Sequence, residues 1–323
     1  MVDAVLAILR CPGCGARLTR ISDRSGNASL ACQQCAFAAP IVAGIPRFVE
    51  EPADALARRT AESFGYEWTA FGDWQPSGQT NFEQYFGDLT ADQLAGRMVL
   101  DAGCGMGRHA RQMAERAGIV VAMDFSRAID QAARNAAPRE NVVCVQGDVL
   151  RPPFADGAFD FLYCLGVLHH ITDTEGAIRA LAAKVRPGGR MRVYLYWKRH
   201  GVVGALLAGV AVVRRVTTQL PFAVLRVLCW VLAVALFTAV VMPYRLLSRL
   251  GVRRHESWPL FVYARYPFQV LYNGQFDRFS APLEKRYDAA EVHALLRRAG
   301  LADVRVWPSF GWMAEGTRPE SPT

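Results

Sequence analysis

Between residues 176 and 255 the chain has no aspartate or glutamate, although 29 acidic residues occur among its 323. Fourteen lysines and arginines lie in the same stretch and give it +14, so with +8 for the whole chain the remainder carries −6. The basicity is local in sequence, which argues against a nucleic-acid surface spread over the molecule. The residues before Cys11 lack the basic region and cleavage site of a secretory leader, so a cytoplasmic location is expected. Charged residues make up an ordinary 20%, yet 52% are hydrophobic and the mean hydropathy is +0.10. One part of the chain is therefore greasier than the rest, and the length allows one large or two modest domains.

Of eight cysteines, Cys104, Cys144, Cys164 and Cys229 stand among apolar neighbours and read as core thiols in a reducing compartment. The others pair as CPGC and CQQC: Cys11, Cys14, Cys32 and Cys35 have the spacing C-x2-C-x17-C-x2-C. Two such knuckles fold four thiolates into one tetrahedron around Zn2+. With every position filled by cysteine, no open site is left for chemistry, and the zinc is expected to be structural. A segment of about 40 residues has too little core to fold unaided, so the metal would supply the missing stability. LRCPGCGARL and LACQQCAFAAPIVAGIPRFV resemble the small zinc-ribbon proteins that activate tRNA, rRNA and release-factor methyltransferases. That resemblance implies a methyltransferase alongside.

Beyond residue 95 short apolar runs alternate with helical periodicity. RMVLDAG, IVVAMD, NVVCVQGD, FDFLYCLG and MRVYLYW read as strands, and residues 108–117, 127–136 and 174–185 as helices. A last helix, 289–299, precedes ADVRVW and GWMAEG, a terminal strand pair. The expectation is an α/β fold with a doubly wound, mostly parallel seven-stranded sheet, its ligand outside the carboxyl ends of the strands.

The loop GCGMGRHA after the first strand fits a dinucleotide fingerprint, but Asp101 stands two residues before Gly103. A carboxylate there would repel a diphosphate and attract a cation, and S-adenosylmethionine carries an ammonium and a sulfonium. Gly103, Gly105 and Gly107 would let the backbone approach its methionine part. Asp124, closing the second strand, can take both ribose hydroxyls, and Asp148, closing the third, the adenine amino group.

With VLDAGCGMGRH, VVAMD, QGDVLRPPFADGAFD, LGVLHHI and VRPGGRM, residues 96–197 and 287–315 resemble class I S-adenosylmethionine-dependent methyltransferases. The resemblance implies Asp101, Gly103 and Gly105 at the methionine moiety, Asp124 at the ribose, Asp148 and Val149 at the adenine, and Leu165 behind the cofactor, with Phe125 a further cofactor-binding candidate. RPPF at 151–154 follows the third strand, not the fourth, and reads as a turn; adenine N6 methylation is disfavoured. His169 and His170, after the fourth strand, are candidate general bases, or else packing and capping residues. Tyr66 and Trp68, in the aromatic stretch that runs on to Trp74, either line an acceptor pocket or pack on the sheet.

Where that family needs a short connection, residues 198–286 form a basic apolar insertion. Residues 221–243, PFAVLRVLCWVLAVALFTAVVMP, are long enough for a transmembrane helix. A single crossing would put the fifth strand and the last helix on opposite sides of the bilayer. A second crossing would have only residues 201–213, reaching about 20 Å, and would leave Arg214 and Arg215 outside. A helical pair lying in the cytoplasmic leaflet is expected instead, with Arg245, Arg249 and Arg253 at i, i+4 and i+8 forming a basic interfacial helix. The alternative is a helical lid or dimer interface.

The expected organisation is a zinc ribbon (1–50), a helical cap (51–95), the methyltransferase core (96–197 and 287–316) interrupted by the insertion (198–286), and a disordered tail (317–323). The expected function is methylation of a lipophilic small-molecule acceptor (isoprenoid, quinone, polyketide or lipid-linked sugar) by an enzyme peripheral or monotopic at an anionic inner membrane face. The alternatives are an rRNA or tRNA base methyltransferase and a non-catalytic adaptor of the same fold. With five arginines and few aromatics to stack bases, residues 1–50 favour a nucleic-acid partner less.

Overall fold

A computed structural model describes residues 3–49, 54–71, 78–251, 258 and 260–320; Trp74 and Arg253 lie outside them. Helix α1 (Asp3–Ile8) precedes a four-stranded antiparallel sheet of β1 (Leu18–Ser22), β2 (Ala28–Cys32), β3 (Ala38–Val42) and β4 (Ile45–Pro46). Helices α2 (Ala55–Ala70), α3 (Gly78–Phe86) and α4 (Ala91–Leu94) lead into the main sheet. There β5 (Met98–Ala102), α5 (Arg108–Met113), β6 (Ile119–Asp124), α6 (Ala128–Ala136), β7 (Val142–Gln146), β8 (Phe159–Leu165), α7 (Thr174–Ala182) and β9 (Val185–Leu195) alternate. The insertion holds α8 (Gly201–Thr217), α9 (Phe222–Leu236), α10 (Met242–Arg249) and α11 (Phe268–Ser280); α12 (Ala289–Arg298), β10 (Ala302–Pro308) and β11 (Trp312–Thr317) complete the fold.

The seven strands lie in the order β10-β11-β9-β8-β5-β6-β7. The pairs from β9 to β7 are parallel, whereas β11 runs antiparallel to both β9 and β10. Strands such as IVVAMD are apolar at consecutive positions because helices cover both faces: Val120, Val121, Ala122 and Met123 are all buried. Chain order reverses between β5 and β8, and this switch point opens the crevice where such sheets take ligands. Helix α2 begins at Asp54, whose carboxylate accepts from the Ala57 amide at 2.9 Å; α12 begins with an Asp288–Glu291 capping box.

Residues 3–49 do not pack as a separate body. Leu9, Leu30 and Phe48 share one apolar core with Val143, Phe154 and Phe159. The Arg10 amide donates to the Pro153 carbonyl at 2.9 Å and the Phe48 amide to Gln146 at 2.8 Å. The tail is ordered further than expected, since Thr317 ends β11 and the Arg318 guanidinium donates to the Val185 carbonyl at 2.6 Å. Residues 321–323 lie outside the description.

The insertion leaves the sheet after β9 and returns to it: Trp197 and Tyr287 pair in a parallel bridge, and the Lys198 amide donates to the Tyr287 carbonyl at 2.9 Å. Helix α9 lays Leu225, Cys229 and Ala233 against α11 and α2. It runs through a π-turn at Phe237–Val241 into α10, because Pro243 has no amide hydrogen to donate and its ring displaces the preceding turn. Two arginines of the insertion point inward, and one of them corrects an expectation. Arg214 is buried and ion-paired with Glu284 at 2.7 Å, tying α8 to the chain before α12. Arg245 turns inward, donating to the carbonyls of Ala264 and Tyr266 at 3.1 and 2.7 Å, so the expected three-arginine stripe is not formed.

Candidate cofactor and acceptor site

The crevice is built on the loop after β5. Gly103 (φ +85°) donates its amide to the Met123 carbonyl at 2.7 Å, and a Cβ there would lie 2.2 Å from Val167 Cγ2. Gly105 (φ +53°) lies beneath the Trp68 indole, which a Cβ would meet at 3.1 Å. Gly107 serves packing: its Cβ would meet Ala132 of α6 at 3.0 Å. Asp124 pins this loop, accepting from the Gly105 amide at 2.8 Å and from Ser126 N and Oγ at 2.8 and 2.7 Å.

Asp101 is 3% exposed and its Oδ2 has no hydrogen-bond partner. Burial, reinforced by repulsion from Asp124 and opposed by the Tyr163 hydroxyl, pushes its pKa up to about 8. A buried oxygen left unsatisfied costs about 1–3 kcal/mol, and an ammonium group beside the loop would relieve it. Once ionised, the same carboxylate would repel a diphosphate. The residues thus fit S-adenosylmethionine, Asp101 facing its cationic end.

Asp148 accepts from the Leu150 amide at 2.9 Å and begins the turn through Arg151, so RPPF is a turn, with Phe154 buried against Phe159. Val149 is buried, and Leu165 and Phe125 are half-buried at the ends of β8 and β6. These stand along the same strand ends as Asp101.

The two histidines are interior groups. His169 is fully buried, stacks on Tyr196 at 3.8 Å between ring centroids, and neither ring nitrogen has a partner. His170 Nδ1 lies 2.6 Å from the Leu283 carbonyl; a carbonyl only accepts, so Nδ1 carries the hydrogen. Burial lowers both pKa values, keeping the rings neutral at pH 7. Tyr66 packs on Phe222 and Phe276 at 5.0 and 5.6 Å, whereas Trp68 covers the glycine loop.

Next to the histidines α2 and α11 bury polar faces that periodicity did not single out. Ser63 and Glu67 of α2 are 0% and 1% exposed; Asn273 and Ser280 of α11 are 8% and 1%. Asp277 lies between the latter two on α11 and accepts from the Tyr196 hydroxyl at 3.3 Å. The only sequence signal was the i, i+4 spacing of polar residues on helices that also carry apolar faces.

In the ribbon the four Sγ atoms lie within 4.8 Å of one another, with Cys11–Cys35 at 3.6 Å and Cys14–Cys32 at 3.4 Å. Zn–S bonds of about 2.3 Å in a tetrahedron require sulfurs about 3.8 Å apart, so the cluster has the right size and donor set.

A seven-stranded sheet of this order, with a carboxylate before a glycine loop and acids closing the next two strands, is the arrangement found in class I S-adenosylmethionine-dependent methyltransferases. The comparisons agree: residues 100–193 match the methyltransferase domain family, and the chain carries such a domain behind a four-cysteine ribbon. Ubiquinone biosynthesis O-methyltransferase of Alkalilimnicola ehrlichii is 32% identical over 154 residues, 44% of this chain and 62% of that protein. Demethylmenaquinone methyltransferase of Corynebacterium kroppenstedtii is 35% identical over 102 residues, 32% of this chain and 43% of that protein. The chain thus spans about half the length of these relatives. Among solved structures, human N-acetylserotonin methyltransferase in complex with SAM is 15% identical, covering 83% of this chain and 60% of that one at a TM-score of 0.49.

Proposed function

We propose that the protein transfers a methyl group from S-adenosylmethionine to a lipophilic hydroxyl-bearing acceptor of the quinol type, from the surface of a membrane. The observation that carries the reading is the buried Asp101 carboxyl beside Gly103 and Gly105, whose Oδ2 has no hydrogen-bond partner and which suits a cationic donor. Similarity to methyltransferases named for ubiquinone and menaquinone synthesis supports the acceptor class. When bound, the cofactor supplies an activated methyl group, so the protein's work is positioning and exclusion of water. Asp101 would face the ammonium, Asp124 and Phe125 the ribose, Asp148 and Val149 the adenine, and Leu165 the cofactor's back. Trp68 closes the loop from above, and the apolar neighbours Tyr66, Phe222 and Phe276 keep the acceptor side dry. Neutral His169, stacked on Tyr196, and His170, against Phe64, are the candidate proton acceptors.

The cysteine cluster would hold one structural Zn2+, supported by its sulfur spacing. Membrane docking is supported by the exposed apolar side chains of α8 and α9, among them Leu206, Val216, Val227, Trp230 and Val231, each at least 49% exposed. Among the described residues Phe222–Arg249 is one helix apolar and long enough to cross a bilayer, but its inner side packs on α11 and both ends of the insertion meet at Trp197 and Tyr287. Lying in one leaflet satisfies both constraints. Incubating purified protein and membrane extract with methyl-labelled cofactor should put the label into the lipid-soluble fraction. Label entering RNA or protein instead would overturn the acceptor class.

A further inference from the structure

Arg47 belongs to the four-cysteine ribbon, yet its side chain ends among residues of the cofactor domain. Just after β4 it pairs with Gln146 in a parallel bridge at the carboxyl end of β7, and the Phe48 amide donates to the Gln146 carbonyl at 2.8 Å. The Arg47 side chain is 13% exposed. Its Nη1 donates to Gln146 Oε1 at 3.2 Å, and its Nη2 is ion-paired with Asp130 in the first turn of α6. Gln146 Nε2 in turn donates to the Phe125 carbonyl at 2.9 Å.

The end of β7, the start of α6 and the loop that joins β6 to α6 are thus tied to one guanidinium. Two bonds around Asp124 hold the entry to that loop: the Gly147 amide donates to the Asp124 carbonyl at 3.0 Å, and the Ser126 amide to its carboxylate at 2.8 Å. The bond on the Phe125 carbonyl is different, because it depends on how a side-chain amide is turned. A guanidinium only donates and a carbonyl only accepts, so a single orientation of the Gln146 amide satisfies both neighbours. Arg47 selects it, holding the amide oxygen toward itself and leaving the NH2 group for Phe125.

We propose that Arg47 is a positioning residue for the adenosine half of the cofactor, acting through the Gln146 amide on the Phe125 backbone. This rests on the reading above that the crevice takes S-adenosylmethionine with its ribose at Asp124 and Phe125. Neither Arg47 nor Gln146 has to touch the cofactor. They hold the loop in its binding arrangement beforehand, so its ordering is not deducted from the affinity. Asp130 anchors the guanidinium from the other side, which keeps the fork aimed at Gln146.

The test titrates the full chain with S-adenosylhomocysteine and with adenosine by calorimetry. Arg47→Met keeps the apolar stem and removes the donors. It should weaken both ligands by the same factor, about tenfold, if the loop is then in place in about a tenth of the molecules. Gln146→Glu separates positioning from stability. Its carboxylate still accepts from Arg47 and gains an ion pair, but it has no hydrogen for the Phe125 carbonyl. The melting temperature should therefore hold while both ligands again bind about tenfold more weakly. Wild-type affinity in Gln146→Glu overturns the proposal, and so does a loss for S-adenosylhomocysteine that adenosine does not share. Wild-type protein that binds neither ligand overturns the cofactor reading and this proposal with it. Wild-type protein that binds both and is matched by the two variants sinks the proposal alone.

Discussion

At Asp101 a buried carboxyl with one unpartnered oxygen meets a loop that excludes side chains. Its pKa, raised from 3.8 to about 8, fixes the sign of two effects. Below 3.8 both folded and unfolded chains hold the proton; between 3.8 and 8 only the folded chain does, so this group's contribution to stability falls as pH rises through that window. A cationic ligand binds the ionised form, so cofactor binding near pH 7 should release close to one proton. Affinity should climb by about tenfold per pH unit until pH reaches about 8. Calorimetric titration in buffers of differing ionisation enthalpy measures both, and Asp101→Asn should abolish the proton release and flatten the pH dependence. Asp101, Gly103 and Gly105 could be singled out from a dozen adjacent letters because strand, turn and helix start are local. Glu67 and Asp277 could not, since only the packing of α2 on α11 brings them close together.

Among the elements, the cysteine ribbon and the helical insertion had the clearest sequence signatures, and they differ in how much of those signatures survives folding. The four thiols converge as their spacing requires. Because Leu9, Cys11 and Phe48 belong to the same core as β7 and β8, the ribbon's order and the sheet's stability are coupled. Purified protein should contain one zinc per chain, and chelation should lower the melting temperature of the whole domain by several degrees. If a stripped protein melted unchanged, the metal would have no structural role. In the insertion α9 was legible as an apolar helix, but its buried side was not. Deleting residues 221–243 would expose Phe71, Phe276 and Leu271, so the docking test has to alter the outer face alone.

On the scale of the whole molecule, α8 and α9 both pack on α11 and both leave large apolar side chains exposed. Within the acid-free stretch Lys184, Arg186, Arg190, Arg192, Arg214 and Lys198 pair with acids from elsewhere in the chain. Among the described residues Arg215, Arg226 and Arg249 make no ion pair and stay exposed around the apolar helices. Each near an anionic leaflet adds about 1 kcal/mol, less than the apolar burial itself. Full-length protein should float with vesicles containing anionic lipid and be only partly released by salt. Val227→Asp with Val231→Asp should keep it in the bottom fraction, leaving Leu225, Cys229 and Ala233 in place. Flotation unaffected by this pair would reject the docking face.

From its sequence alone this chain was bound to form the parallel sheet, the acid-before-glycine loop and the four-thiol cluster, because each depends on residues close together in the chain or on strand alternation. Tertiary structure alone decided that six of the fourteen cations in a locally basic run would pair with distant acids, that Arg245 would turn inward, and that acids of α2 and α11 would be buried close together. Charge and polarity act through space, and only packing sets which groups stand a few ångströms apart.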